Sequence, residues 1–150
     1  MILSDGEIIK LLQEGKLMKN WAEEQITPNG YDVRVDEVMV KGEKTSLIPP
    51  KTYFLISTVE YFIMPEDIVG LLWLKTRWTR RGIIGSFGVV DAGFEGNLTL
   101  TGFNASDNEV EIKPGMGFAQ IVFAKLSSRP EKLYYERSGT YHKSRGIVIK

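Results

Sequence analysis

The sequence contains no cysteine and a single histidine, His142. Disulfides and thiolate zinc sites are thereby excluded, and one imidazole cannot build a histidine-rich metal centre. An excess of one charge is missing as well, since 19 Lys and Arg balance 19 Asp and Glu. Such a chain is not expected to have a general affinity for nucleic acid or for an anionic membrane. No apolar run is long enough to span a bilayer, and Met1-Ile2-Leu3-Ser4-Asp5 lacks the basic start and apolar stretch of a secretion signal. The expectation is a cytoplasmic protein with neither a nucleic-acid nor a membrane partner. Repeats, linkers and low-complexity segments are also absent, so 1–150 reads as one domain with one sizeable core.

What is present is mostly strand signal. Ser4 with Glu7 has the pattern of a capping box, Ile8, Leu11 and Leu12 follow at helical spacing, and Gly15 is a stop. A second helical turn over 21–25 is ended by Pro28-Asn29-Gly30. From Tyr31 onward apolar residues alternate with polar ones or gather in short runs, at 31–36, 52–59, 68–74, 97–103 and 118–126. The glycine-containing apolar stretch 82–90 predicts strands joined by a tight bend. Many short strands between turns predict an all-β fold, a β-barrel or jelly roll, with one or two short helices. The basic, glycine-containing segment 138–150 reads as a mobile tail.

Four places carry side chains suited to chemistry. Lys75, Arg77, Arg80 and Arg81 fall within seven residues, beside the hydroxyls of Thr76 and Thr79. Guanidinium groups pair with phosphate oxygens, so the segment suits a polyphosphate, or else forms a solvated basic turn. Asp91 follows two valines and precedes Ala92-Gly93, so a buried strand either aims a carboxylate into a site or ends in a turn-forming Asp. Gly93 and Gly96 permit a tight hairpin that a flat ligand could approach, or are ordinary turn glycines. Asp32 is a solvated edge carboxylate or a holder of hydrated magnesium, which often needs only one or two carboxylates plus substrate phosphates. Gln120, in an apolar strand, satisfies backbone groups or donates to a phosphate. Together these features form a nucleotide-hydrolase hypothesis.

The order of the segments resembles the dUTPase and dCTP deaminase superfamily, most closely its archaeal-type dUTPase branch. The likeness runs through Asn29-Gly30-Tyr31-Asp32-Val33-Arg34, Pro65-Glu66-Asp67-Ile68-Val69-Gly70, and Arg81-Gly82-Ile83-Ile84-Gly85-Ser86-Phe87. It is densest over Val90-Asp91-Ala92-Gly93-Phe94-Glu95-Gly96-Asn97-Leu98-Thr99-Leu100. The resemblance implies a distorted jelly-roll subunit in a homotrimer, with sites at the subunit interfaces, that hydrolyses dUTP to dUMP and pyrophosphate with Mg2+. By the same resemblance Asp91 activates the attacking water, and the hairpin with Val90, Gly93 and Phe94 holds the deoxyuridine. Phe94 packs on the sugar and excludes a ribose 2′-hydroxyl. Lys75, Thr76, Arg77, Arg80 and Gln120 fall where the family binds phosphates. Asp32 helps hold magnesium through water, and the arm 141–146, with Tyr141, Ser144 and Arg145, closes over the ligand.

Three positions depart from the family pattern. Lys75-Thr76-Arg77 stands where Arg-Ser-Ser or Arg-Ser-Gly is usual, and His142-Lys143-Ser144-Arg145 where the arm carries Gln or Gly. Thr101 occupies the position of the glutamate that shuttles protons in the deaminases, and 82–91 is two residues shorter than theirs. The rival readings are dCTP deamination, alone or combined with dUTP hydrolysis, and a nucleotide-binding regulator without turnover.

Overall fold

A computed structural model describes every residue, Met1–Lys150. Its spine is the strand Gly30–Val40. Tyr31, Val33 and Val35 point inward, and then Val38 and Val40 do, so the alternation slips by one residue. The slip coincides with a bulge in the pairing to Thr52–Thr58, between Val35 and Glu37. One extra residue there bends the strand and keeps valines inward on both sides. The first half pairs with Gly117–Lys125, the second with Thr52–Thr58. One strand therefore serves two cores, with Tyr31 and Val33 in one and Val35, Val38 and Val40 in the other.

The main sheet runs Ile68–Leu74, Gly117–Lys125, Gly30–Val40, Thr52–Thr58, Thr99–Asn104, Ile83–Ile84, and it is nearly closed. All these pairs are antiparallel. A three-stranded sheet of Leu17–Lys19, Tyr61–Ile63 and Glu95–Gly96 covers the first core. The all-β, barrel-like expectation holds. No helix is long and apolar enough to cross a membrane.

Three local expectations need correction. Ser4 is the N-cap of Asp5–Gln13, but its hydroxyl makes no capping hydrogen bond. The helix is held by Ile8 and Leu12, both buried in the first core, and tertiary packing of this kind supplies most helical stability in proteins. The second concerns 82–90, which contains only the short strand Ile83–Ile84. Phe87 turns back on Gly85, where an added Cβ would lie 2.9 Å from its ring, and packs 6.0 Å from Phe118, so the chain leaves the sheet to fill the second core. The third concerns 138–150, which is docked rather than free. The Asn97 amide donates to the Ser144 carbonyl at 2.8 Å, and the Val148 amide to Thr99 Oγ1 at 2.9 Å. Composition missed this because the hairpin rim carries backbone groups that need partners.

Candidate active site

Asp91 is delivered by a pinned backbone. Val90 exchanges two backbone hydrogen bonds with Gly70, at 2.8 and 2.9 Å. A side chain at 70 would crowd the buried Ile121, since an added Cβ there would lie 2.6 Å from its Cδ1. The chain then turns tightly, with the Phe94 amide donating to the Asp91 carbonyl at 3.1 Å. Gly93, at φ +81°, makes that turn possible, and its Cα side presses on Leu133 rather than on any ligand space. As a result Asp91 is exposed while Phe94 is buried beside it. Tyr134 braces Phe94 edge to face, with ring centroids 5.4 Å apart. None of the molecule's ion pairs involves Asp91.

Asp91, Val90 and Phe94 open into a cavity of about 440 Å³. That volume is within the range that takes a small organic ligand. Leu55, Thr99 and Thr101 form its sheet wall, and Tyr141, Val148 and Ile149 close it from the C-terminal segment. Asp91 is the only carboxylate in the lining, and no Lys or Arg reaches it. The chemistry on offer is a mainly apolar slot with one proton acceptor at its rim. Sequence reasoning did not find Leu55, Thr99, Tyr134 or Ile149. Leu55 and Thr101 are register partners on adjacent strands, which no local motif reveals.

The other expected residues lie elsewhere on the chain. Lys75 forms an ion pair with Asp32, the carboxylate expected to help hold magnesium. No cluster of three or more His, Asp or Glu side chains converges anywhere. Thr76 and Arg77 lie in the short helix Thr76–Thr79, where Arg77 stacks on Trp78 with its guanidinium 4.9 Å from the indole centroid. Arg80 borders a separate polar cleft with Arg81 and Ser106. Gln120 Nε2 donates to Thr27 Oγ1 at 2.8 Å, a side-chain hydroxyl rather than a backbone group or a phosphate. Ser144 keeps a buried hydroxyl without a partner beside Gly96. Arg145 lies over the Tyr61 ring, 3.9 Å from its centroid, and not in the cavity. The phenol of Tyr61 is pushed up from its ordinary pKa by burial and by its hydrogen bond to Glu95. One chain thus carries the slot and the basic cluster, but does not bring them together.

Residues 35–126, which hold the second half of the spine, most of the main sheet and the Asp91 hairpin, match the family model described as dCTP deaminase-like. The chain belongs to that family. A relative from Pyrococcus horikoshii named dCTP deaminase is 40% identical over 157 residues, covering 99% of this chain and 96% of the relative. Another of that name, from Pyrobaculum islandicum, is 34% identical over 99% of this chain and 95% of its own length. Among solved structures, 2′-deoxycytidine 5′-triphosphate deaminase from Agrobacterium tumefaciens superposes with a TM-score of 0.72 at 18% identity. That match covers 81% of this chain and 48% of the bacterial one, so this chain spans about half its length. The native EIAV dUTPase superposes with a TM-score of 0.56 at 20% identity, over 81% of this chain and 92% of that one. The fold is that of the dUTPase and dCTP deaminase superfamily, and in this family member the Asp91 hairpin and the Thr99–Asn104 strand frame the apolar cavity.

Proposed function

We propose that the protein binds a pyrimidine deoxynucleoside triphosphate and hydrolyses dUTP to dUMP and pyrophosphate. The observation that carries this reading is the cavity's chemistry: Asp91 is its one carboxylate, at the rim, and Thr101 faces it from the sheet. Phosphoryl transfer asks a protein mainly for positioning and charge stabilisation. The oxygen of a water attacks the α-phosphorus, the bond to the bridging oxygen breaks, and pyrophosphate leaves. Asp91 accepts the water's proton, a role typically contributing about 10²–10⁴-fold. Phe94, buried and braced by Tyr134, packs on the deoxyribose.

A magnesium ion carried in by the triphosphate suits this donor set better than a resident ion, because no group of three ligands exists. Asp32 is the side chain that would hold it through water. The ion supplies neutralisation of the triphosphate charge. Lys75, paired with Asp32 in the structure, would be the chain's own cation nearest to meet phosphate oxygens there.

The absence of any Lys or Arg from the cavity supports a homotrimer in which a second copy supplies the phosphate clamp. An uncovered apolar row fits that assembly. Tyr53 (65% exposed), Phe103 (38%) and Ile84 (61%) are cross-strand partners on one sheet face.

The names of the relatives favour a second reading, dCTP deamination. That reaction adds water at C4 and needs an acid–base group to deliver a proton to the departing amine. A threonine hydroxyl is too weak for that work, so Asp91 would have to perform it. Purified protein with Mg2+ is expected to release pyrophosphate from dUTP and no ammonia from dCTP. Steady ammonia release from dCTP, without pyrophosphate from dUTP, gives the second reading.

A further inference from the structure

The C-terminal segment is fastened by groups that the proposed hydrolysis does not use. Ser144 forms a parallel bridge with Gly96, and the Lys143 amide donates to the Glu95 carbonyl. Farther on, the Val148 amide donates to Thr99 Oγ1. Gly96 permits this closeness: its φ is +146°, and a Cβ there would lie 2.9 Å from Ser144 N and 3.1 Å from Ser144 O. At the centre of the seam is a three-part stack. The Glu95 carboxylate accepts a 2.8 Å hydrogen bond from the Tyr61 hydroxyl, and the Arg145 guanidinium lies 3.9 Å from the same ring's centroid. A carboxylate bonded to the phenol makes the ring more electron-rich, which strengthens its attraction for a cation. Tyr61 is itself 4% exposed, so the platform is rigid.

We infer that Arg145 is a positioning residue: by stacking on Tyr61 it latches 143–148 along the Glu95–Thr99 rim of its own chain and thereby sets the far wall of the nucleotide cavity. The wall it holds is Tyr141, Val148 and Ile149. The resemblance alone places Arg145 in an arm that closes over the ligand. In the structure its planar cation is committed to a partner 84 positions earlier in the chain. The latch itself rests on geometry, and its effect on ligand binding rests on the reading of the cavity as a nucleotide site.

The test is amide hydrogen exchange on the full-length protein without ligand, followed by calorimetric binding of a non-hydrolysable dUTP analogue. Arg145→Ala removes the cation from an exposed position, and Gly96→Ala unseats the arm while leaving Arg145 in place. Both variants are expected to speed exchange at the Asn97 and Val148 amides by about tenfold or more. Arg145→Lys, which keeps the charge and loses the planar stack, is expected to fall between. Analogue binding is expected to weaken by about tenfold in the alanine variants. Unchanged exchange in Arg145→Ala, with weakened analogue binding, overturns the latch and makes Arg145 a phosphate ligand. Faster exchange with no analogue binding even by the unmodified protein upholds the latch and removes the nucleotide reading instead.

Discussion

Asp91 and Gly102 show how differently single positions matter here. Asp91 touches little of its own protein, being exposed and outside every ion pair. Replacing it by the isosteric Asn should leave folding and analogue binding intact and lower kcat by about 10²-fold or more. Near-normal turnover of Asp91→Asn would assign the water to another base. Gly102 is the reverse case. A Cβ there would lie 2.4 Å from the ring of Phe54, which is fully buried and packed edge-on against Phe118 at 5.9 Å. The ring cannot retreat, so Gly102→Ala is expected to cost about 1–3 kcal/mol. A thermal melt several degrees lower, with the same kcat/KM, is the expected observation, and an unchanged Tm would mean that the second core has slack. The ion pair of Lys75 with Asp32 was not legible in the sequence, because strand register, not proximity in the chain, joins them.

The strands were largely readable because their period of two is written into residues such as Tyr31, Val33 and Val35. Even the bulge leaves a trace, in the step from Val35 to Val38. The irregular run after Ile84 was misread as strand because Phe87 fills a core without pairing, Val89 is exposed, and only Val90 makes a bridge, to Gly70. The hairpin of Asp91 and Phe94 was legible by resemblance, whereas the opposite cavity wall comes from strands and a tail that only the folded topology gathers. The tail was the largest miss, since many of its partners are groups on the Glu95–Thr99 rim about 48 residues away, invisible to composition. Its removal is informative. Leu133 is the last residue in the buried core, so a protein ending at Ser138 should still fold. It should lose at least about tenfold in kcat/KM, because Tyr141, Val148 and Ile149 no longer exclude water from the cavity. Equal kcat/KM in the shortened and full-length proteins would deny the tail any part in the site.

At the scale of the whole molecule, the uncovered row of Tyr53, Phe103 and Ile84 is the surface on which the proposed trimer can be tested. Phe103→Lys places a charge at the centre of that row without touching either core, since Phe103 belongs to neither. Light scattering is expected to show a trimer for the unmodified protein and a monomer for the variant at micromolar concentration. A trimer that survives the substitution would place the interface elsewhere. The spine strand has a further consequence, for how the polypeptide is made. Gly30–Val40 cannot complete its hydrogen bonds until Gly117–Lys125 exists, because Arg34 pairs with Gly117 and Tyr31 with Ile121. Such distant pairing slows folding, since the long intervening loop must close before any contact rewards it. On the ribosome, Tyr31 and Val33 must therefore wait without their partner strand, and the gene's last quarter decides when the rest becomes a protein.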